Sequence, residues 1–282
     1  MTLKPSQANG YSQEQASLIK QMCLYIATKL GDIMDDLVII GGLVPSLLID
    51  QDTPNSSIEP HVGTLDLDIG LQVALLEEER YKTLSERLRQ AGFINEQNDN
   101  GQPLRQRWCC SESQIAIDFL IAPTLPDDRG GKLRHLEQDF AAIIAPGLQT
   151  AFVDRQQIHL KGHTIFHEQA EREVWVCGPG AYIVLKALAF TNRGENKDAY
   201  DLYYVLKYYG NDIEDIIPAF HMIQTTPDAQ LAISVLERDF TDHQQIGPRR
   251  VAMFLTGGVD MKIQQDVVGY ISMFLEKIKI EK

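Results

Sequence analysis

The chain has little cysteine and no metal-binding cysteine pattern. Its four cysteines, at positions 23, 109, 110 and 177, lack the spacing of a zinc site. Cys109 and Cys110 are adjacent, so in a strand their side chains would point to opposite faces. We therefore expect free thiols and no disulfide bond.

Long apolar runs are also missing. The longest, residues 37–49, has about 13 residues and contains glycine and proline, whereas roughly 20 apolar residues span a bilayer. The N-terminal stretch MTLKPSQANGYSQEQ has no apolar core of the kind that signal peptides carry. We expect no membrane partner and a cytoplasmic location.

Positive charge is scarce. The 282 residues include 26 Lys and Arg against 39 Asp and Glu, which gives a formal net charge of −13. Such a balance argues against a broad basic surface for nucleic acid, because phosphate binding depends on Lys and Arg. A local basic patch between residues 80 and 134 remains open, and the alternative is an ordinary solvated helix face.

Hydrophobic periodicity predicts an α/β half followed by a helical half. Glycine and proline positions mark the loop at 50–63 and the ends of the first helices. In the first half the pattern predicts helices at 13–30, 43–48 and 75–91, strands at 37–40, 64–73, 103–113 and 114–123, and a hairpin-like segment at 150–166. In the second half it predicts helices at 180–192, 196–209, 212–222, 227–239, 247–256 and 261–279. The expected fold class is α/β (α+β), a mixed β-sheet with flanking helices followed by a helical domain, divided into 1–175 and 176–282.

Three aspartates stand inside two apolar strands. In TLDLDIGLQV, Asp66 and Asp68 share one face because strand side chains alternate, and in IAIDFLI the isolated Asp118 would be costly to bury without a partner. If the two strands are neighbours, the three carboxylates can bind Mg²⁺ or Mn²⁺. Two such ions could clamp an in-line phosphoryl displacement, and Asp118 could accept the proton of the attacking hydroxyl. The alternative is that Asp66 and Asp68 are exposed at an edge strand and Asp118 caps a turn.

Gly41 and Gly42 follow the first predicted strand and precede a helix. Glycine at such a junction lets backbone N–H groups approach a phosphate closely, and the helix dipole adds attraction. A simple tight turn is the alternative. Together with the aspartate strands, the pair predicts a pocket for a triphosphate and its metal.

This combination resembles the nucleotidyltransferase superfamily related to DNA polymerase beta, with Gly41, Gly42, Asp66, Asp68 and Asp118 at the positions of its signature. The segment YIVLKALAFTNRGENKDAYDLYYVL is similar to an element of the AbiEii type, the abortive-infection and toxin-antitoxin branch. The resemblance spans roughly residues 36–210, and the residues that match this element are Lys186, Arg193, Lys197, Asp198, Asp201 and Leu202.

The resemblance implies that residues 1–175 form a nucleotidyltransferase-like domain. It also implies that Lys186 binds nucleotide phosphates and that Asp198 supports catalysis. From the residues alone, Lys186 and Arg193 lie two turns apart on one helix face. Asp198 and Asp201 begin the next helix, so an inter-helix salt-bridge network is equally open.

The sequence therefore predicts a metal-dependent transferase that moves a nucleoside monophosphate from a nucleoside triphosphate to an acceptor hydroxyl. The predicted catalytic residues are Asp66, Asp68, Asp118 and Asp198, and Gly41, Gly42, Lys186 and Arg193 bind the nucleotide. The acceptor could be tRNA or another RNA, a protein or a small molecule, and a toxin would have a cognate antitoxin protein as partner. Two alternatives stay open: a catalytically silent member that binds a nucleotide or a protein, and an aminoglycoside-type enzyme. A silent member would place Asp118 away from Asp66 and Asp68, or a cation such as Arg105 or Arg107 at the metal position.

Overall fold

The computed structural model describes residues 4–51, 58–72, 78–110, 112–113 and 115–280. The strands are β1 Leu37–Ile40, β2 Asp66–Leu71, β3 Phe93–Gln97, β4 Pro103–Cys110, β5 Ala116–Ile121, β6 Leu133–Glu137, β7 Phe140–Ile144, β8 Arg155–His163 and β9 Gln169–Cys177. The α-helices are α1 Gln13–Leu30, α2 Val44–Leu48, α3 Glu78–Gln90, α4 Thr150–Val153, α5 Pro179–Arg193, α6 Asn196–Tyr208, α7 Ile217–His221, α8 Pro227–Asp239, α9 Ile246–Thr256 and α10 Met261–Ile280.

The described strands form one nine-stranded mixed sheet. Its main path runs β3-β4-β5-β2-β1-β9-β8, and β7 pairs with the end of β5 and with β6. Near the centre, β2 is antiparallel to β1 and parallel to β5. The predicted fold class, a mixed α/β sheet with flanking helices and a helical C-terminal region, is confirmed.

The two faces of the central strands differ sharply. On one face Leu67, Ile69, Ile117 and Phe119 are fully buried in the core that includes α1. Burying a side chain of this size contributes about 1.5–3 kcal/mol, so these four stabilise the sheet by roughly 6–12 kcal/mol. Alternation along the strands then sends the aspartates of β2 and β5 to the opposite face.

The elements that follow β9 are all helical in the described chain. α5 has proline in its first turn and ends where Gly194 takes a left-handed conformation with φ of 63°. α6 follows α5 and packs against it, and buried salt bridges join the two helices. The boundary near residue 175 stays a prediction.

Several element predictions were wrong or incomplete. The pattern missed β3, β6 and β7. β3 and β6 carry polar residues and lack a regular apolar alternation, whereas β7 is a short apolar stretch. The predicted hairpin-like segment at 150–166 begins instead with α4 and contains one strand, β8, whose antiparallel partner β9 lies beyond the segment. The predicted helix 212–222 is a 3-10 turn followed by α7, which starts at Ile217 and has at its second position a proline that cannot donate a backbone hydrogen bond.

Parts of five predicted elements lie outside the described residues: 52–57 of the loop, 73 of the strand 64–73, 75–77 of the third helix, 111 of the strand 103–113 and 114 of the strand 114–123. The four cysteines are free thiols, as predicted. Among the described helices, none combines the length and apolar character needed to cross a membrane.

Candidate active site

Three aspartates meet on one face of the sheet. β2 and β5 are parallel neighbours in a register that places Asp68 beside Asp118. Asp66 lies two residues earlier on the same strand and face as Asp68. Each of the three offers a carboxylate oxygen, and these atoms all lie within 4.8 Å of one another. We call these residues the aspartate trio.

The three aspartates are largely buried, and this environment disfavours three negative charges close together. Burial, and then the charge of Asp66, raises the pKa of Asp68 to about 6. Burial, and then the charge of Asp68, raises the pKa of Asp118 to about 7. For Asp66, burial has the same direction, but the Lys4 ammonium and Arg107 outweigh it and hold the pKa below its usual value. Two of the three carboxylates therefore lack full compensation by the charges around them.

Two basic side chains reach the trio. Lys4 Nζ lies 2.9 Å from Asp66 Oδ2. Arg107, on β4 directly opposite Asp118, donates to Asp118 Oδ2 and lies 3.6 Å from Asp66 Oδ2. Its Nε also donates to Glu96 at 2.6 Å. The sequence predicts two signs of a silent member: a cation at the metal position, or Asp118 away from Asp66 and Asp68. The first sign is present, because Lys4 and Arg107 lie at the aspartates. The second is absent, because Asp118 shares the face of Asp66 and Asp68.

Sequence reasoning missed Lys4 and gave Arg107 only as a sign of inactivity. A single lysine in the polar N-terminal stretch carries no pattern that points to the trio. Arg107 could have been found from alternation, since a hairpin between the CCSES and QIAIDFL segments places one face of β4 beside Asp118.

Gly41 and Gly42 stand beside the trio, where only glycine fits. Gly41 has φ of 73°, and a Cβ there would lie 1.9 Å from Asp68 Oδ2. A Cβ on Gly42 would lie 2.7 Å from Thr64 Oγ1 and 3.2 Å from Lys197 Nζ. The chain continues from these glycines through one 3-10 turn into α2, a helix of five residues. The backbone at this junction therefore comes close to both the carboxylates and a lysine.

A second charged cluster lies at the start of α6. Lys186 Nζ lies 2.6 Å from Asp201 Oδ2 and 3.2 Å from Asp198 Oδ1. Arg193 binds Asp198 with two hydrogen bonds, Nε to Oδ2 at 2.7 Å and Nη2 to Oδ1 at 2.8 Å. Lys197 binds both oxygens of Asp201, at 2.8 and 2.9 Å. The salt-bridge network that the sequence left open is present, and we call these five residues the cation cluster.

His61 fixes the cluster from the loop before β2. Its Nε2 lies 2.9 Å from Asp201 Oδ1, and its Nδ1 accepts a hydrogen bond from the Gly63 backbone N–H. Its ring stacks on Tyr200 and meets Tyr204 edge-on. Burial lowers the pKa of His61 to about 4, so at neutral pH the ring is uncharged and donates to Asp201 through Nε2. Nothing in the sequence pattern singled out this histidine.

Residues of the trio and of the cation cluster line one narrow polar crevice. Asp66 and Asp68 line one side, and Lys186, Arg193 and Lys197 line the other. Burial disfavours the charged forms of Lys186 and Lys197. The carboxylates of Asp201 and Asp198 outweigh this effect at Lys186 and raise its pKa, whereas at Lys197 burial prevails and lowers the pKa. Six of the eight predicted site residues therefore line this crevice, namely Gly42, Asp66, Asp68, Lys186, Arg193 and Asp198. Gly41 lines the neighbouring cavity, and Asp118 lies beside Asp68 without lining the crevice.

A cavity of about 260 Å³ opens beside this crevice. Gly41, Asp68, Lys186 and Arg193 stand at its polar end. The rest of its wall is largely apolar, formed by the sheet edge, the loops around it and α5, and it includes Leu120, Ile143, Pro146, Tyr182, Leu185 and Ala189. Such a cavity suits a ligand with an anionic end and a flat apolar body.

The donor set of the trio fits a hard divalent cation. Mg²⁺ and Mn²⁺ prefer carboxylate oxygens, and these ions are commonly shared between carboxylates and substrate phosphates. Two neighbouring strands present the oxygens from one face, next to a glycine backbone and three cations. The arrangement can hold a metal ion and an anionic ligand side by side.

No protein family and no curated protein matches the chain. A solved structure to which it is similar is the STING-associated CdnE c-di-GMP synthase from Capnocytophaga granulosa. The match covers 95% of this chain and 83% of that one, with 11% sequence identity and a TM-score of 0.27. A TM-score this low leaves the function to be argued from the site itself.

Proposed function

We propose that the chain is a metal-dependent nucleotidyltransferase, which transfers a nucleoside monophosphate from a nucleoside triphosphate to an acceptor hydroxyl. One observation carries the proposal. Asp66 and Asp68 of the aspartate trio line one crevice with Gly42 and with Lys186, Arg193 and Lys197 of the cation cluster, and Gly41 and Asp118 lie next to Asp68. A triphosphate needs a metal ligand set, a close backbone and cations together, and this crevice offers all three.

The trio would hold Mg²⁺ or Mn²⁺ through Asp66, Asp68 and Asp118. When bound, the ion supplies positive charge for the triphosphate and for the charge that develops as the phosphoryl group is transferred. Gly41 admits Asp68 because it has no Cβ, so the glycine supports the ligand set directly.

The nucleotide phosphates would lie between Gly41, Gly42 and the cation cluster. Arg193 uses Nε and Nη2 for Asp198, and within the described ranges its Nη1 makes no hydrogen bond, so Nη1 can donate to a phosphate. The Lys186 ammonium has three donors for its two carboxylates. Asp198 then acts as a positioning residue, because it orients both cations. The apolar cavity beside the crevice would take the nucleobase.

In the proposed reaction the acceptor oxygen attacks the α-phosphorus and forms a new P–O bond. The bond between the α-phosphorus and its bridging oxygen breaks, and pyrophosphate leaves with the bonding electrons. Asp118 takes the proton of the hydroxyl, because it belongs to the trio but sits on β5, the side away from the glycine junction.

We infer that the acceptor is a hydroxyl of RNA, a protein or a small molecule. The formal charge of −13 weighs against a broad RNA surface. An AbiEii-type toxin that is neutralised by a cognate antitoxin protein remains the finer form of this proposal, and it rests on the sequence resemblance.

A specific observation favours a second candidate, a catalytically silent nucleotide-binding or protein-binding member. Lys4 and Arg107 place two positive charges at the trio, and a permanent charge of this kind could replace a metal ion. In that case the nucleotide would bind equally well with and without a divalent ion.

Transfer of label tests the proposal. Each of the four α-³²P nucleoside triphosphates is incubated with the protein and Mg²⁺ or Mn²⁺, in the presence of RNA or protein acceptors. Metal-dependent labelling that disappears in Asp118→Asn, in a folded variant, is expected. No labelling from any nucleotide with any acceptor would support the silent candidate.

A further inference from the structure

Residues 4–12, which precede α1 and which we call the N-terminal segment, border the crevice that the trio and the cation cluster line. Lys4 and Tyr11 both line that crevice. Lys4 Nζ lies 2.9 Å from Oδ2 and 3.3 Å from Oδ1 of Asp66. One ammonium group therefore covers both oxygens of a residue that the metal site would need.

The backbone of this segment is attached by contacts that do not involve Lys4. The carbonyl of Ser6 accepts a hydrogen bond from Asn196 Nδ2 at 3.2 Å. The Tyr11 ring packs 5.9 Å from the ring of Phe254. These contacts hold the segment beside the crevice independently of the Lys4–Asp66 ion pair, so the segment can stay in place when that pair breaks.

Arg107 is held more firmly than Lys4. It lies on β4, paired with β5, and its guanidinium is shared between Asp118 and Glu96. The Lys4 side chain is 39% exposed and its residue belongs to neither a helix nor a strand. Of the two cations at the trio, Lys4 is therefore the one that can leave.

A divalent ion and the Lys4 ammonium compete for Asp66. Mg²⁺ ligands lie about 2.0–2.1 Å from the ion, so an ion on Asp66 would sit within about 5 Å of an ammonium group that keeps its present contact. Like charges at this distance repel strongly in a partly buried site. The other cations of the crevice bind Asp198 and Asp201, so Lys4 is the cation in closest contact with Asp66, with Arg107 next at 3.6 Å.

We propose that Lys4 is a built-in competitor of the metal ion: the N-terminal segment closes the trio through the Lys4–Asp66 ion pair, and the divalent ion binds after Lys4 withdraws. The inference rests on the metal site of the proposed function. It reconciles a cation at the trio with an active enzyme, because the cation is displaceable. The N-terminal segment thereby sets the metal concentration at which the site fills.

Titration with Mn²⁺ tests this inference without any substrate. The electron paramagnetic resonance signal of the free ion reports how much Mn²⁺ remains unbound. The variants are Lys4→Gln, Lys4→Arg and, as a control for net charge, Lys20→Gln on the exposed side of α1. Lys4→Gln is expected to lower the Mn²⁺ dissociation constant roughly three- to tenfold, the size of one partly exposed ion pair. Lys4→Arg and Lys20→Gln should stay close to the wild type.

The other outcomes separate this inference from the proposed function. If the wild type binds Mn²⁺ and Lys4→Gln binds it no more tightly, Lys4 is no competitor, and the metal site stands alone. If none of the variants binds Mn²⁺, the metal site and the competition both fail. Tighter binding in Lys20→Gln as well would assign the effect to net charge and overturn the role of Lys4.

Discussion

Replacing Asp201 with alanine should destabilise the fold strongly. The Asp201 carboxylate is completely buried and binds Lys186, Lys197 and His61, at 2.6, 2.8 and 2.9 Å. Without it, Lys197 loses its ion pair, Lys186 keeps only Asp198, and the His61 N–H loses its acceptor. Removing one partner of a buried ion pair costs about 3–5 kcal/mol, because an uncompensated charge stays buried.

The expected loss should be visible in both thermal and denaturant unfolding. For a chain of this size each kcal/mol shifts Tm by about 2–4 °C, so Asp201→Ala should lower Tm by on the order of 10 °C. Asp201→Asn keeps the shape but removes the charge, and it should fall between the wild type and Asp201→Ala.

Asp32 offers a matched control. It also binds two cations, Arg80 and Arg87, but its side chain is 59% exposed. Asp32→Ala should change Tm little, because water replaces the lost contacts. Equal destabilisation by Asp32→Ala and Asp201→Ala would refute the view that the buried network joins α5, α6 and the loop before β2.

Three further predictions concern the site. Gly41→Ala should abolish Mn²⁺ binding, because the new Cβ would displace Asp68. The control Gly101→Ala has a similar φ but open space around it, so it should show only the backbone strain of about 1–2 kcal/mol and still bind the metal. Equal Mn²⁺ affinity of the two variants, measured by calorimetry, would contradict this account. The pKa values of Asp68 and Asp118 are raised from 3.8 to about 6 and 7, so the folded state holds their protons more tightly than the unfolded state. Their contribution to stability is therefore full below about pH 4 and is lost as pH rises from there to about 7, while Mn²⁺ affinity increases. Unfolding curves between pH 5 and 8.5 should therefore show a weaker pH dependence in Asp118→Asn than in the wild type, and parallel curves would argue against it. Arg193→Gln should weaken triphosphate binding about tenfold, roughly 1.4 kcal/mol, because Arg193 is a cation that lines the crevice. It should not weaken Mn²⁺ binding, because Arg193 hydrogen-bonds Asp198 and its positive charge near Asp68 does not help to hold a metal ion. A loss of Mn²⁺ binding in this variant would disprove the separation of the two roles.

The sequence predicted best what depends on local alternation. Asp66, Asp68 and Asp118 interrupt strong apolar strands, so their shared face followed from period-two geometry once the strands were neighbours. The helices of the second half were found because their apolar faces repeat regularly. Strands such as β3 and β6, with polar residues and weak alternation, left no such signal.

Contacts between distant parts of the chain could not be read in this way. His61 reaches Asp201 across 140 positions, and Lys4 reaches Asp66 across 62. Neither residue belongs to a periodic segment, so no local pattern marks it. Gly41 lies between these cases: its place after a strand suggested a close approach, but only the structure identifies Asp68 as the group that approaches.

Calorimetric titration of each of the four nucleoside triphosphates, with and without Mg²⁺, tests the central claim most directly. It is carried out on the wild type and on the folded double variant Asp66→Ala/Asp68→Ala. The account predicts Mg²⁺-dependent binding of at least one nucleotide to the wild type and its loss in the double variant. Binding that is independent of Mg²⁺ and survives in the double variant, or no binding of any nucleotide to the folded wild type, would contradict it.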